Sequence, residues 1–259
     1  MSVTARFVEL VSGPESALRL DEAALLVAAH RYPELDVDAE LARLDELADG
    51  VRVPTLDGLL AHLFGDLGFT GDRERYDDER NAFLNDVVDR RLGLPISLSI
   101  LAIEVGRRIG VPLAPVSMPG HFLVRDRVDA TVFVDPFAGG RVLDAAGAEA
   151  IFRVAHGPDA RLDPEHLLPA TPRAVVARVL ANLKLRYAGA GRARDLVWVT
   201  RLRAAIPGVP VEERRHLSRA LAAVGRFDEA AAELEALAEL FPGDDELRHL
   251  AIGLRARLS

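Results

Sequence analysis

Residues 92–125 constrain the fold more than any other stretch. They read LGLPISLSILAIEVGRRIGVPLAPVSMPGHFLVR, which predicts a turn, a helix, a second turn and a strand. Gly93 gives the first turn its backbone freedom, and Pro95 suits the first position of a helix, where a missing N–H costs nothing. Ile96, Leu98, Ile100, Leu101, Ile103, Val105 and Ile109 then point to nearly every side of the axis, the mark of a buried helix rather than a surface one. Ser97, Ser99 and Glu104 are the polar exceptions, and Arg107 and Arg108 favour the negative end of the helix dipole. Gly110 and Pro112 stop the helix. The strand beyond carries His121. A buried helix feeding a histidine-bearing strand is a common framework for a catalytic core.

The rest of the chain sets limits on that core. Its 259 residues, 49% of them hydrophobic, can bury one large core or two ordinary ones. No apolar run approaches the roughly 20 residues of a membrane helix, and the N-terminus, with Glu9 among its first ten residues, does not read as a signal peptide. There is no cysteine, which excludes disulfides, thiolate metal sites and a thiol nucleophile and points to the cytoplasm. A net charge of −8 argues against binding to nucleic-acid phosphates or anionic lipid, so neither nucleic acid nor membrane is an expected partner. Lys184 is the only lysine. Heavy use of alanine, valine and leucine beside arginine makes compositional bias a simpler cause than a demand for guanidinium chemistry.

Residues 6–50 carry a helical pattern broken at Pro33, and Thr55 is placed to cap a further helix through Phe64. Gly65, Gly68 and Gly71 punctuate the connection after it. The charge run GDRERYDDER over 71–80 lacks the ligand spacing and loop glycine of a calcium site and reads as a solvated loop. Helix resumes with Phe83, Leu84, Val87 and Val88 on its apolar side; Asn81 and Asn85, four apart, share a face and suit ties to neighbouring backbone. After the central helix two strands are expected, one around Phe122 and Val124 and one over 131–134 that closes on Asp135-Pro136. Helix returns over 145–155, and the Pro-, Asp- and His-rich stretch 158–172 reads as a linker between domains.

From Arg173 onward the pattern is helical throughout. Gly191-Arg192 and Gly225-Arg226 lie 34 residues apart, each followed by an apolar helix that ends near a proline, Pro207 and Pro242. Thirty-four is the tetratricopeptide period. The second copy has Gly225, Phe227, Ala230, Leu234 and Leu237 at the expected small and apolar positions, with Ala230 at the close contact of a helix pair. The first copy has Ala193 where an aromatic is preferred. Residues 245–258 would form a closing helix.

These motifs resemble a known family. GLPISLSILAIEVGRRIGVP, then PGHFLVR, then VDPF, looks like the transglutaminase-like core, and is most similar to the bacterial SirB-type proteins, which join that core to tetratricopeptide repeats. The resemblance is specific over 81–141, moderate over 173–259 and weak at the N-terminus. It implies an α+β fold: a mainly helical, transglutaminase-like (papain-like) core with a small antiparallel sheet over 1–165, then an all-α tetratricopeptide-like module over 173–259. In active members a Gly-x-Cys opens the central helix, a histidine lies on the next strand and an aspartate on the strand after it. By position Gly93 matches the glycine, His121 the histidine and Asp135 the aspartate. The nucleophile's position falls on Pro95.

A cysteine at a helix N-terminus beside an imidazole ionises easily, and the aspartate orients the imidazole. Without the thiol, a His121–Asp135 dyad can bind, orient or relay protons but cannot form a thioester. Ser97 is the alternative nucleophile, yet two residues along a helix rotate a side chain by about 200°, and its hydroxyl can be satisfied by the carbonyl one turn back. A structural role is open to the dyad as well: a histidine after Pro-Gly can bond a buried carboxylate, and Asp before Pro commonly opens a turn. His30, His62, His156, His166, His216 and His249 form no close ligand pair. Neither a metal nor a cofactor is expected, since no phosphate-binding glycine loop or dinucleotide fingerprint is present. Two functions remain. One is a non-catalytic protein-binding or regulatory protein whose partner is a protein or peptide held by the repeats. The other is a hydrolase or acyl-transferase using Ser97, or water activated by His121 and Asp135. Inherited site geometry would put the His121 ring within hydrogen-bond reach of Asp135, near the end of the helix that Pro95 begins.

Overall fold

A computed structural model describes residues 1–258; Ser259, the last residue of the expected repeat module, lies outside the described residues. The helices are α1 (Val3–Ser12), α2 (Leu20–Arg31), α3 (Val37–Asp49), α4 (Leu56–Leu60), α5 (Leu84–Arg90), α6 (Pro95–Arg108), α7 (Ala145–His156), α8 (Pro172–Gly189), α9 (Ala193–Ala204), α10 (Glu212–Ala223), α11 (Phe227–Leu240) and α12 (Asp245–Arg255). The strands are β1 (Thr70–Gly71), β2 (Leu92–Gly93), β3 (Leu113–Val116), β4 (Leu123–Asp126), β5 (Phe133–Asp135) and β6 (Arg141–Leu143). Strands β3 to β6 form an antiparallel sheet in sequence order, while β1 and β2 pair in parallel in a separate ladder two residues long.

Helix α6 is the core element of the first compact unit, residues 13–179. Every residue from Pro95 to Gly106 is buried, as expected of a helix apolar on all sides, and it packs against α2, α3, β3 and β4. Its buried carboxylate is accounted for. Glu104 accepts the N–H of Leu20 at the start of α2 and an ion pair from Arg107 at 2.8 Å. Beside it lies Asp21, itself fully buried and bridged by Arg108 at 2.7 Å. Burial and then the neighbouring Asp21 charge push the Glu104 carboxyl above its ordinary value. Burial would raise Asp21 too, but the Arg108 hydrogen bond and the Arg19 and Arg108 charges outweigh it and hold that carboxyl low.

Several expectations in this unit are corrected. His121 lies two residues before β4, not on the strand itself. The second strand begins at Phe133 rather than Thr131, because Asp129 accepts both the N–H and the hydroxyl of Thr131 and folds 129–132 into a turn. The stretch 158–172 is no linker. Ala160, Leu162 and Leu167 pack on the sheet core of Val116, Leu123, Phe133 and Phe152, and the N–H of Ala170 bonds the carbonyl of Pro115 at 2.8 Å. Apolar residues scattered among prolines and aspartates make it a strap over the sheet.

The boundaries 1–165 and 173–259 therefore do not match the compact units. The division falls inside α8, between Val179 and Leu180, and residues 2–12 belong with the second unit, where Phe7 and Val11 of α1 are fully buried and α1 packs on α9. Among its described residues that unit is helical throughout. The 34-residue offset repeats local geometry as well as sequence. Gly191 and Gly225 both have positive φ, 65° and 79°, and the N–H of the following arginine bonds a carbonyl five residues back, Tyr187 or Leu221, at 2.9 Å each. Arg192 pairs with Asp195 and Arg226 with Glu229, the same spacing in each copy. Ala230 is fully buried with Leu217, Leu221 and Val197, and its carbonyl accepts the Ser218 hydroxyl at 2.8 Å. The closing helix α12 seats Leu247 and Ala251 on Leu234 and Leu237. Lys184, the single lysine, sits in this unit with Arg203 on the buried Glu213.

Candidate functional site

The site is assembled around the N-terminal end of α6. The parallel ladder pairs Gly71 with Gly93, and Pro95 occupies the first turn of the helix, where it leaves no N–H unsatisfied. Gly93 is needed for closeness: a Cβ there would lie 2.8 Å from Ser97 Oγ and 3.0 Å from Leu98 Cγ and Val87 Cγ2.

Ser97 is 3% exposed and its hydroxyl is committed. It donates to the carbonyl of Asn81 at 2.6 Å and accepts the N–H of Leu94 at 2.9 Å. The carbonyl one turn back, that of Leu94, is also within reach at 3.1 Å, but the shorter partner comes from a different segment. Asn81 is itself pinned, donating to the carbonyl of Arg75 and accepting from Arg90, which also bridges Asp72 at 3.1 Å. Asp72 is 4% exposed, so the charge run over 71–80 is not wholly a solvated loop: its first carboxylate is a buried anchor. Burial would raise that carboxyl, but hydrogen bonds from the Arg75 N–H, Asn81 and Arg90 hold it below its ordinary value.

The other side of the site is the pair His121 and Asp135. His121 Nε2 lies 3.0 Å from Asp135 Oδ1. That same oxygen accepts the backbone N–H of Phe137 at 3.0 Å and of Ala138 at 3.2 Å, capping the single 3₁₀ turn Pro136–Ala138. The bond to Asp135 engages Nε2 and leaves the second ring nitrogen, Nδ1, outside it. Nδ1 has no protein partner among the described residues, and the side chain is 13% exposed.

Phe137 ties the two sides together. The His121 and Tyr76 rings each make a T-shaped contact with it, at centroid distances of 6.1 Å and 5.8 Å, and the Arg73 guanidinium lies 5.5 Å from its centroid. A Cβ on Gly71 would fall 2.3 Å from the Phe137 ring, so the ring lies against the ladder that leads into α6. The dyad is thereby placed at the end of α6 that Pro95 begins, and α6 packs directly on the 3₁₀ turn. Of the sequence-derived residues, the structure joins His121 to Asp135 and gives Ser97 different partners. The sequence pattern does not mark Phe137, Arg73 and Tyr76 as site residues. Phe137 stood in the VDPF motif beside Asp135, which was the available signal; Gly71 read only as punctuation.

Chemically, the arrangement offers a proton acceptor at Nδ1, oriented from behind by a buried carboxylate, beside an aromatic face and a guanidinium. At the head of the helix it offers no thiol, and the Ser97 hydroxyl is committed; the Ser99 hydroxyl, one turn further in, is fully buried and has no hydrogen-bond partner among the described residues. Among the described residues no group of three or more histidines and carboxylates is placed to hold a metal ion.

The sequence profile of the transglutaminase-like superfamily matches residues 19–181, and a tetratricopeptide-repeat profile matches 211–254. Fold and site together define a transglutaminase-like domain followed by helical repeats. The chain belongs to the transglutaminase-like superfamily and, within it, to the SirB-type proteins. It is similar to a UPF0162 protein of Xylella fastidiosa, 36% identical over 247 residues that cover 90% of this chain and 88% of the relative. A UPF0162 protein of Vibrio cholerae is 34% identical over 197 residues, 70% of this chain and 73% of the relative. F-box only protein 21 of Homo sapiens is 36% identical over 130 residues, 46% of this chain but 20% of that longer protein. No solved structure matches the chain.

Proposed function

We propose that this protein is a non-catalytic binding or regulatory protein of the cytoplasm, a transglutaminase-like domain that has lost covalent catalysis and works with a protein or peptide partner through its helical repeats. One observation carries the reading. The residue in the nucleophile's position is Pro95, and the candidate hydroxyl, that of Ser97, spends its proton on the Asn81 carbonyl rather than on His121. A covalent acyl-enzyme needs a free nucleophile beside its base; Pro95 supplies none, and the Ser97 hydroxyl is already engaged. The repeat module supports the partner half of the reading, because stacked helix pairs present extended binding surfaces. The absence of cysteine and of any helix among the described residues long and apolar enough to cross a membrane is compatible with the cytoplasm.

The uncommitted Nδ1 of His121 favours a second reading, in which the dyad activates water for a hydrolase or acyl-transferase reaction. The two are separated by incubating the purified full chain with serine-directed acylating probes and with a panel of ester and amide substrates. The binding reading expects no covalent label and no turnover above the His121→Ala variant. Labelling lost in both Ser97→Ala and His121→Ala, or turnover lost in His121→Ala alone, would overturn it.

A further inference from the structure

A second site, independent of the dyad, lies on the helical side of the first unit. A pocket of about 300 Å³ is lined by Leu47, Leu67, Phe69 and Val88 as apolar wall and by Arg91, His62, Arg43 and Glu46 as polar groups. That volume suits a compact small molecule and is too small for a nucleotide.

Arg91 is the first sign that the pocket is built. It is the only non-glycine residue with positive φ among the described residues, at φ 59° and ψ 20°. This is the C-terminal cap of α5, a position where glycine or asparagine is the usual occupant. Its backbone is held on both sides: its N–H donates to Val87 and its carbonyl accepts from Thr70. The guanidinium has no ion pair among the described residues. Arg43, by contrast, is neutralised by Glu40 at 2.9 Å and Asp89 at 2.5 Å. Arg91 is exposed, so its unpaired cation stands at the mouth of the pocket, on a backbone conformation that glycine would occupy more freely.

His62 is the second sign. It sits in a π-helical turn, Ala61–Asp66, that continues α4, an irregularity frequent at functional sites. Its buried Nε2 has no hydrogen-bond partner among the described residues. The ring fits only because residue 50 is glycine, where a Cβ would lie 2.7 Å from Cε1. Glu46, exposed on the same lining and without an ion pair among the described residues, limits how much negative charge a ligand can carry there.

From this lining we infer that the pocket binds a small apolar monocarboxylate, its head on Arg91 and its hydrocarbon body on Leu47, Leu67, Phe69 and Val88. One charge-assisted pair with a guanidinium supplies orientation, and the apolar wall supplies the remaining contact.

The test is a titration of the full chain with 4-methylpentanoate and 3-phenylpropionate, followed by ligand-observed NMR and by backbone amide shifts. The matching primary amides and inorganic phosphate serve as controls. Saturable binding of at least one carboxylate is expected, with shifts centred on Gly50, Leu67, Phe69 and Arg91 and with the amides and phosphate silent. Arg91→Gly keeps the backbone geometry without strain and should weaken that binding by roughly tenfold or more, with thermal stability undiminished. Leu67→Trp, which fills the pocket from its wall, should abolish binding and serves also where Arg91→Gly fails to fold. The inference is overturned by no saturable binding up to about 10 mM, a limit generous for a ligand of this size. Equal binding of the amides, or affinity unchanged in Arg91→Gly or Leu67→Trp, overturns it as well.

Discussion

The two ends of the candidate site differ in how much hydrogen-bonding capacity they leave unused. At the start of α6, Pro95 has no N–H to offer and the Ser97 hydroxyl is spent on Asn81 and Leu94. Behind them Asn81, Arg90 and Asp72 bind one another. At the His121 end, one carboxylate oxygen, Oδ1, takes three hydrogen bonds, while the ring keeps one nitrogen uncommitted. A working nucleophile–base site needs spare capacity at both ends, because a proton must leave one and arrive at the other. Spare capacity at one end alone is the state expected of a binding group, or of a base that acts only on water.

The strongest way to break this contrast is to restore the missing group. Pro95→Cys should turn an inert helix end into one that iodoacetamide alkylates, with the introduced thiol ionising at a pKa of about 7 or below. The same replacement in a His121→Ala background should react more slowly and titrate higher. A thiol indifferent to His121 would mean that the two ends do not converge. Next in size is Gly71→Ala, which drives a methyl into the Phe137 ring. Because that ring is held by Tyr76 and His121, the replacement should cost about 3 kcal/mol in denaturant unfolding; a cost below about 1 kcal/mol would show that the ring is free to move.

At the saturated end, Ser97→Ala should cost only about 1 kcal/mol. The N–H of Leu94 keeps its 3.0 Å bond to the Asn81 carbonyl when the hydroxyl is gone. Probe labelling should not change, and any loss of chemistry would contradict the assignment of Ser97 to structure. The smallest effect is a pH dependence. Hydrogen bonds from Arg80, and then its charge and that of Arg90, take the Asp78 carboxyl from 3.8 down to about 2 despite some burial. A carboxyl lowered by folding contributes stability that is complete above its ordinary value and fades as pH falls through the lowered one. The loop that holds Asn81 should therefore loosen between pH 4 and pH 2 rather than near pH 5, in the range set by the ordinary and lowered Asp78 values. Carbon-detected NMR of the Asp78 carboxyl and melting curves across that range will show it.

Much of this was legible in the chain because the relevant signals are local. An all-round apolar run can only be a buried helix, and α6 is buried from Pro95 to Gly106. The 34-residue offset marked the repeats, and Gly191 and Gly225 fold the same left-handed turn. The less legible parts depend on contacts between distant segments. A ladder of two residues, Thr70–Gly71 with Leu92–Gly93, leaves no alternation to read, yet it carries the Phe137 ring to α6. The strap over 158–172 has the composition of a linker, and Leu162 and Leu167 reveal their role only once the sheet beneath them exists. The partner of the Ser97 hydroxyl comes from sixteen residues upstream, outside any helical period.

Asp135 has a bearing on how relatives of this chain should be compared. One carboxylate oxygen receives an imidazole and two backbone amides, so the residue that would orient a catalytic histidine is also the residue that folds the turn after β5. Selection for a foldable chain would preserve it whether or not any reaction survived, and a ring that fills the space beside it would tend to be kept too. A histidine–aspartate pair found in a relative would therefore report first on the upkeep of a corner in the backbone. The residue that reports on lost or living chemistry is the one at the head of the helix.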